Sequence, residues 1–192
     1  MPEKIAYPYI VRILQEFIQP DLKVLEIGCG AKQYRDFLPK VNYSGLDLPD
    51  SPYIVEPLEF SCSADNIPTD DSCFDLIFGV ATFCLHEDPK KSFQECYRVL
   101  KPSGKLIVFD YNAATLASLA QKNGATEVWN YSGLSAVLAA AGFSSNNLRN
   151  ISQMVDYVDY PDVLRLTFRK LRRLVGLEAS NWMIVVAEKA EY

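Results

Sequence analysis

The segment that most restricts the fold of this chain spans residues 24–32, which read Val-Leu-Glu-Ile-Gly-Cys-Gly-Ala-Lys. Its apolar first half predicts a buried strand that starts at Lys23, and Gly28 and Gly30 predict a tight turn directly after it. A strand that ends in a glycine turn is typical of the first crossover in a doubly wound α/β sheet. In such a sheet the turn lies at the carboxyl edge of the strands, where ligands bind.

The rest of the chain alternates between strand and helix patterns, as a sheet with crossover helices requires. Further strands are predicted over 41–47, 74–80, 105–110, 148–158 and 182–187, and helices over 5–18, 31–38, 89–100, 113–122 and 134–141. Asp88 and Pro89 have the chemistry of a helix start, and Gly142 that of a helix end. The fold class is therefore α/β with a doubly wound, mostly parallel sheet, in which the last two strands allow one antiparallel member.

One domain accounts for the whole length. A chain of 192 residues is close to the usual domain size, and 49% hydrophobic and 22% charged residues are typical of a globular protein. Repeats, linkers and low-complexity stretches are absent from the sequence. We predict a single domain over 1–192, with an N-terminal helix in 1–20, a binding core in 21–143, and C-terminal strands with a basic helix in 144–192.

Charge, cysteine content and hydropathy exclude several classes of protein. The net charge of −5 disfavours nucleic-acid binding, because phosphate contacts need a positive field. Five cysteines without a C-x-x-C pair, together with a single histidine, predict free thiols in a reducing compartment and no metal site. No stretch approaches the ~20 apolar residues of a membrane span, so we expect no transmembrane segment and a cytoplasmic location. The sequence carries no signal for the oligomeric state.

The glycine turn also restricts the kind of ligand. A dinucleotide-binding loop needs a third glycine where this chain has Gln33, and a phosphate-binding P-loop needs a Gly-Lys-Ser/Thr sequence that is absent. Glu26 adds a carboxylate just before the turn, which repels phosphate and suits a cation. A positively charged ligand without phosphate therefore fits this loop best.

Two acidic residues further along the chain extend the predicted site. Asp47 ends the second predicted strand, where a carboxylate can accept hydrogen bonds from both hydroxyls of a ribose. Asp65 precedes the strand over 74–80, where a carboxylate can accept from the exocyclic amine of adenine while a neighbouring backbone group reads the ring edge. The alternative for Asp65 is a turn residue before Pro68.

Together these residues resemble the class I S-adenosylmethionine-dependent methyltransferases, in particular the ubiquinone/menaquinone-methyltransferase-like (type 11) branch. The resemblance covers about residues 24–143 and depends on five motifs in the family's order: Glu26–Gly30, Gly45–Asp47, Ala64–Pro68, Phe74–Ile77 and Arg98–Leu106. It implies a Rossmann-like methyltransferase fold with a seven-stranded sheet whose last strand is antiparallel. It also implies S-adenosyl-L-methionine as the cofactor.

The resemblance further implies a set of cofactor-binding residues. Gly28 and Gly30 would flank the methionine part of the cofactor, and Asp47 would hold the ribose. Asp65 and a neighbour at position 66 or 67 would hold the adenine. The full set is Glu26, Gly28, Cys29, Gly30, Asp47, Leu48, Asp65, Asn66, Ile67 and Val80.

Two residues depart from the family pattern. Lys32 occupies the position of the family's third glycine, where its side chain can narrow the mouth of the pocket or begin the following helix. His86 lies one residue after the position at which many members have a histidine, and one residue rotates a helical side chain by ~100°. His86 is therefore either a hydrogen-bonded turn residue or a weak candidate for substrate contact or general base.

The implied reaction is methyl transfer to a small-molecule acceptor by in-line displacement. The protein then aligns the reactants and excludes water, and it needs a base only if the acceptor must lose a proton. The catalytic residue stays unassigned, with Tyr9 and Tyr131 as further candidates for a base. The alternative is a catalytically silent methyltransferase-like binding module, whereas Glu26 and Gln33 disfavour a nicotinamide dehydrogenase.

Features outside the core bear on the acceptor. The predicted helix over 163–175 has an apolar face and a basic remainder, which is either a solvated surface or a rim that attracts an anionic or lipid-linked acceptor. Its basic residues are Arg165, Arg169, Lys170, Arg172 and Arg173. Aromatic residues that can pack in a core or line an acceptor pocket are Tyr7, Tyr9, Trp129, Tyr131, Tyr157 and Tyr160.

Overall fold

The computed structural model describes residues 8–113, 124, 125, 127–151 and 182–191. The helices are α1 (Pro8–Phe17), α2 (Pro89–Val99) and α3 (Tyr131–Ala140). The strands are β1 (Lys23–Ile27), β2 (Asn42–Asp47), β3 (Phe60–Ser61), β4 (Phe74–Val80), β5 (Leu100–Tyr111), β6 (Leu148–Asn150) and β7 (Trp182–Glu188). They form one seven-stranded sheet in the order β3-β2-β1-β4-β5-β7-β6.

The direction of the strands confirms the predicted fold class. Strands β1 to β5 pair in parallel, whereas β7 runs antiparallel to both β5 and β6. Strand β1 lies between β2 and β4, so the chain leaves β1 towards one side of the sheet and later returns on the other side. This reversal of strand order opens a crevice at the carboxyl ends of β1 and β4, which is where such sheets bind ligands.

Apolar layers cover both faces of the sheet. On one face α1 packs its stripe of Ile10, Ile13 and Leu14 against sheet residues that include Phe78 and Ile107. On the other face the residues of α2 and α3 pack with a second buried cluster, to which Phe83, Phe93, Leu134 and Leu138 belong. Because both faces are covered, the central strands are mostly apolar, as the sequence indicates.

The ends of α2 are fixed by polar contacts. At its start the Asp88 side chain accepts a hydrogen bond from the Lys91 N–H at 3.1 Å, with Pro89 as the first residue, which confirms the predicted cap. At its end the Lys189 Nζ donates to the carbonyls of Tyr97 and Leu100 at 2.8 and 2.7 Å. Lys189 follows β7, so this contact joins the last strand to the end of α2.

Helix α3 confirms a second prediction. Asn130 caps its first turn by accepting a hydrogen bond from the Gly133 N–H at 2.8 Å. The helix ends before Gly142, whose φ of 116° lies in the left-handed region that favours glycine.

Some predicted boundaries are wrong. Residues 31–38 form turns and one short 3₁₀ turn at Arg35–Phe37 instead of an α-helix, because Lys32 adopts a φ of 51°, which helical geometry does not allow. Strand β5 starts at Leu100, five residues before the predicted start of the strand at Lys105. Predictions over 114–122, 152–158 and 163–175 concern residues outside the described ranges.

The described residues also bear on the cysteine, metal and membrane predictions. All five cysteines are free thiols: Cys29, Cys62, Cys73, Cys84 and Cys96. Within the described ranges, histidine, cysteine and acidic side chains form no group of three that is suited to a metal ion. No described helix has the length and apolar character needed to cross a bilayer.

The contact between Lys189 and α2 gives a stability prediction. Lys189→Met keeps the aliphatic stem but removes the donor for the last carbonyls of α2, so we expect the free energy of unfolding to fall by about 1–2 kcal/mol. Lys91→Met is the matched control, because Lys91 is exposed at the other end of the helix; its effect should stay below about 0.5 kcal/mol. Urea denaturation measures both, and equal effects of the two variants would contradict the prediction.

Candidate functional site

The turn after β1 adopts a conformation that requires glycine. Gly28 and Gly30 have φ values of 65° and 47°, in the left-handed region. A Cβ at Gly28 would lie 2.2 Å from Oγ1 of Thr82, which follows β4. The Cys29 N–H donates to the Leu46 carbonyl at 3.0 Å, which ties the turn to the end of β2. The loop backbone therefore lies directly over the carboxyl ends of β1, β2 and β4.

Asp47 joins this loop through its carboxylate. Its Oδ2 accepts a hydrogen bond from the Gly30 N–H at 2.8 Å, and its Oδ1 accepts one from the Leu48 N–H at 2.8 Å. A carboxylate has about four acceptor positions, so about two remain for a ligand. Asp47 is only half-buried, and these positions are compatible with the two hydroxyls of a ribose.

Glu26 differs from the sequence interpretation. Its side chain is only 2% exposed and accepts a hydrogen bond from the Tyr43 hydroxyl at 2.5 Å, beneath the glycine loop. Burial raises the pKa of Glu26 to about 8, so the carboxyl group carries its proton at neutral pH. The Glu26 carboxyl group is therefore buried beneath the turn, whereas the sequence interpretation placed a charged carboxylate beside the ligand.

Lys32 neither narrows the mouth of the pocket nor begins a helix. Its side chain is 2% exposed and runs over Gly45, whose missing Cβ leaves room for the Lys32 stem. The Lys32 Nζ donates to the Pro57 carbonyl at 2.8 Å and pairs with the Glu59 carboxylate at 2.9 Å. Glu59 in turn accepts the Gly45 N–H at 2.7 Å. Lys32 therefore joins the glycine loop to the segment between β2 and β3.

The predicted adenine subsite lies between β3 and β4. Asp65 and Asn66 are exposed, whereas Ile67 is buried. The Ile67 N–H donates to the Glu95 carboxylate at 2.9 Å, and the Ile67 carbonyl accepts from Arg98 at 2.8 Å. Both backbone groups of Ile67 therefore face α2, which favours Asn66 over Ile67 as the neighbour that contacts the adenine. Asp65 and Asn66 remain as candidates for that contact.

His86 is held as a turn residue after β4. Its Nδ1 lies 2.8 Å from the Ser92 hydroxyl on α2, and its Nε2 lies 3.4 Å from the Thr82 hydroxyl. Burial lowers the pKa of His86 to about 4, although the nearby carboxylates of Asp65 and Asp47 act in the opposite direction. The imidazole is therefore neutral at pH 7, and the geometry favours the role of a hydrogen-bonded turn residue over that of a general base.

Asp110 was missed by the sequence analysis. It is fully buried near the carboxyl end of β5 and accepts hydrogen bonds from the Cys84 N–H at 2.9 Å and the Tyr111 N–H at 2.8 Å. Burial raises its pKa to about 6. Asp110 thereby positions the turn at Phe83–Leu85, which precedes His86. The available signal was an acidic residue at the end of an apolar strand, the same signal that identified Asp47.

The aromatic candidates separate into two groups. Tyr9 and Trp182 lie on the α1 side of the sheet with ring centroids 6.3 Å apart, and Tyr111 stacks on Trp182 at 5.4 Å. Trp129 packs on Phe93 on the opposite side at 6.3 Å. Tyr9 and Trp129 therefore pack on opposite faces of the sheet, and a pocket that combines them stays a prediction. Tyr7, Tyr157 and Tyr160 lie outside the described residues.

The sheet order and the loop chemistry define a class of protein. A glycine turn after β1, an acidic residue that ends β2 and an antiparallel β7 between β5 and β6 are the features of a class I methyltransferase domain. In agreement, residues 25–108 match the model of the "Methyltransferase domain" family, type 11. The matched segment is 84 of the 192 residues and contains the glycine turn and Asp47, so this part of the chain is similar to the methyltransferase domain.

Known proteins resemble the chain at low sequence identity. The malonyl-[acyl-carrier protein] O-methyltransferase of Paenibacillus sp. (strain JDR-2) is 28% identical over 177 residues, which cover 74% of this chain and 63% of the relative. This chain spans between 5% and 63% of the length of the five curated relatives that it matches.

Solved structures share the fold. The YcgJ protein of Bacillus subtilis superposes with a TM-score of 0.66 at 16% identity, covering 97% of this chain and 100% of that one. A phosphoethanolamine N-methyltransferase of Haemonchus contortus, solved with phosphomonomethylethanolamine and S-adenosylhomocysteine, has a TM-score of 0.63 at 16% identity and covers 94% and 52% of the two chains.

Glu26 gives a prediction on the pH dependence of stability. Between pH 4.5, the ordinary pKa of a glutamate, and about 8, the native protein retains a proton that the unfolded chain has released. This group therefore lowers the free energy of unfolding as the pH rises through that range. Glu26→Gln imitates the protonated form, so the variant should lose less stability than the wild type between about pH 5 and 8.

Urea denaturation across this pH range measures the difference. The exposed Glu16 on α1 provides the control variant Glu16→Gln, whose stability profile should run parallel to that of the wild type. A Glu26→Gln profile that also ran parallel would contradict the protonated state of Glu26.

Proposed function

We propose that this protein binds S-adenosyl-L-methionine at the carboxyl ends of β1, β2 and β4 and transfers its methyl group to a small-molecule acceptor. The observation that carries the proposal is the hydrogen bond between the Gly30 N–H and the Asp47 carboxylate at 2.8 Å, which places the glycine turn and the ribose-binding candidate in one crevice. The match to the methyltransferase-domain family supports the same reaction.

The residues around the crevice fit this cofactor. Gly28 and Gly30 let the loop backbone lie close to Thr82 and Tyr53, where a side chain would clash, and this backbone is proposed to contact the methionine part. Asp47 has spare acceptor positions for the ribose, and Asp65 with Asn66 lies exposed for the adenine. Other proposed contacts come from Cys29, Leu48 and Val80, while Glu26 supports the loop from beneath.

The protein contributes mainly alignment to the reaction. When bound, the cofactor supplies a methyl group that its sulfonium already activates. The glycine loop and Asp47 orient the reacting centre, and the turn after β4 shields it from water. His86 holds this turn against α2 through Ser92, and its low pKa makes it a weak base at neutral pH.

The acceptor is proposed to be anionic. Five basic residues in 163–175 can form an electropositive rim, and in the sequence this segment follows β6 and precedes β7. Two relatives support the idea, since their names specify malonyl-[acyl-carrier protein] and phosphoethanolamine as acceptors. We also propose a reducing compartment such as the cytoplasm, because all five cysteines are free thiols.

Asp47 provides the main test of the cofactor site. Asp47→Ala removes acceptors for the ribose and for the Gly30 N–H, so S-adenosylhomocysteine affinity should fall by about 1–3 kcal/mol, or roughly 5- to 150-fold. Asp50→Ala, an exposed neighbour, should leave the affinity unchanged. Isothermal titration calorimetry measures both, with NAD as a ligand that should not bind.

The outcomes separate the candidate functions. Binding of S-adenosylhomocysteine together with transfer of a labelled methyl group supports the enzyme. Binding without transfer to any acceptor of a broad panel would indicate a silent binding module. Binding of NAD in place of S-adenosylhomocysteine would contradict both.

The acceptor proposal has its own test. Replacement of Arg172 and Arg173 by alanine should raise the KM for an anionic acceptor several-fold and leave the KM for S-adenosylmethionine unchanged, since only the acceptor is attracted by the rim. The wild-type KM for the acceptor should also rise with salt. Steady-state kinetics measures these effects, and an unchanged acceptor KM would exclude the electropositive rim.

A further inference from the structure

The segment Leu48–Glu59, which connects β2 to β3, is fixed in place although it contains three prolines and little regular structure. Near its end the buried Lys32 binds the Pro57 carbonyl and the Glu59 carboxylate. Arg35 pairs with Glu56 at 2.9 Å. The glycine loop and the turns that follow it therefore hold this connecting segment at three nearby positions, Glu56, Pro57 and Glu59.

Tyr53 lies in the middle of the connecting segment, against the glycine loop. A Cβ at Gly30 would lie 3.1 Å from the Tyr53 Cβ, 3.9 Å from the Tyr53 carbonyl and 4.0 Å from Oδ2 of Asp47. Tyr53 and the Asp47 carboxylate therefore flank the same glycine. A side chain at Gly30 would meet Tyr53, which is a second reason for glycine at this position.

The Tyr53 side chain is unusually open for an aromatic residue in such a place. It is 65% exposed, and Leu48 and Val55 on the same segment are 50% and 47% exposed. Its backbone is packed on the loop while its ring stays in solvent. A ligand bound beside Tyr53 would give the exposed ring a surface to pack on. The ring would then exclude water from the hydrogen bonds between the ligand and the Asp47 carboxylate, which favours an ordered ring.

We propose that Tyr53 is a cofactor-contacting residue whose ring closes over the nucleoside held by Asp47, and that Lys32 is the positioning residue that fixes its segment. This inference depends on the proposed function, since it assigns a further contact to the same cofactor. The proposal also explains why a lysine occupies the family's third glycine position. The segment between β2 and β3 contains no helix, and Lys32 anchors it.

Calorimetry with S-adenosylhomocysteine tests the contact. We expect Tyr53→Ala to weaken binding at least ~10-fold and Tyr53→Phe to stay within ~2-fold of the wild type, because the ring and not the hydroxyl covers the ligand. Val55→Ala is the matched control on the same segment and should also stay within ~2-fold. Wild-type affinity in Tyr53→Ala would overturn the proposal.

Chemical footprinting of the wild-type protein gives a second, independent measurement. Tetranitromethane should nitrate the exposed Tyr53, and saturating S-adenosylhomocysteine should protect it, as mass spectrometry of the peptides would show. Tyr97, which is half-buried near the end of α2, serves as the internal control and should react equally in both conditions. Equal nitration of Tyr53 with and without the ligand would overturn the contact.

The role of Lys32 requires a double-variant comparison. Lys32→Met removes the charge and keeps the length, so it should weaken S-adenosylhomocysteine binding in the wild-type background but add little in the Tyr53→Ala background. Additive effects would overturn the positioning role. If the wild type bound no S-adenosylhomocysteine, the proposed function itself would fail, whereas normal binding with an unaffected Tyr53→Ala variant would reject only this inference.

Discussion

The hydrogen bond from the Gly30 N–H to the Asp47 carboxylate joins the glycine turn to the end of β2. The rest of the candidate site depends on this contact. It fixes the end of β2 against the turn after β1, at the point where strand order reverses. The turn can approach this closely because Gly28 lacks a side chain beneath Thr82. Thr82 in turn contacts His86, so the crevice is continuous from β2 to the loop after β4.

The electrostatics of this edge follow from which acidic groups are buried. Glu26 and Asp110 lie inside the protein, where burial raises the pKa of each carboxyl group. Asp47 and Asp65 remain in contact with solvent. The charge offered to a ligand therefore comes from the outer pair, whereas the inner pair holds backbone and side-chain donors in place. This division suits a nucleoside that carries a positive charge.

The sequence predicted features that local chemistry determines. The strand and glycine turn at 24–30, the acidic end of β2 and the Asp88 cap each depend on a few neighbouring residues, and all were found. The sequence did not predict three other features: the direction of the Lys32 side chain, the burial of Glu26 and the contacts of the Ile67 backbone. They depend on partners far along the chain, namely Glu59, Tyr43 and Glu95, whose proximity only the folded sheet creates.

The cysteines near the crevice have a practical consequence. Cys29 in the glycine loop and Cys84 beside Asp110 are buried, and burial raises the pKa of both thiols, so neither presents a reactive thiolate at neutral pH. Cys62 and Cys73 are only half-buried and are therefore more accessible to a maleimide, and once Cys62 is replaced the label attaches to Cys73, at the amino end of β4. A fluorophore attached there would be at the opposite end of β4 from the crevice, and the native thiols in the binding loop could stay in place during labelling.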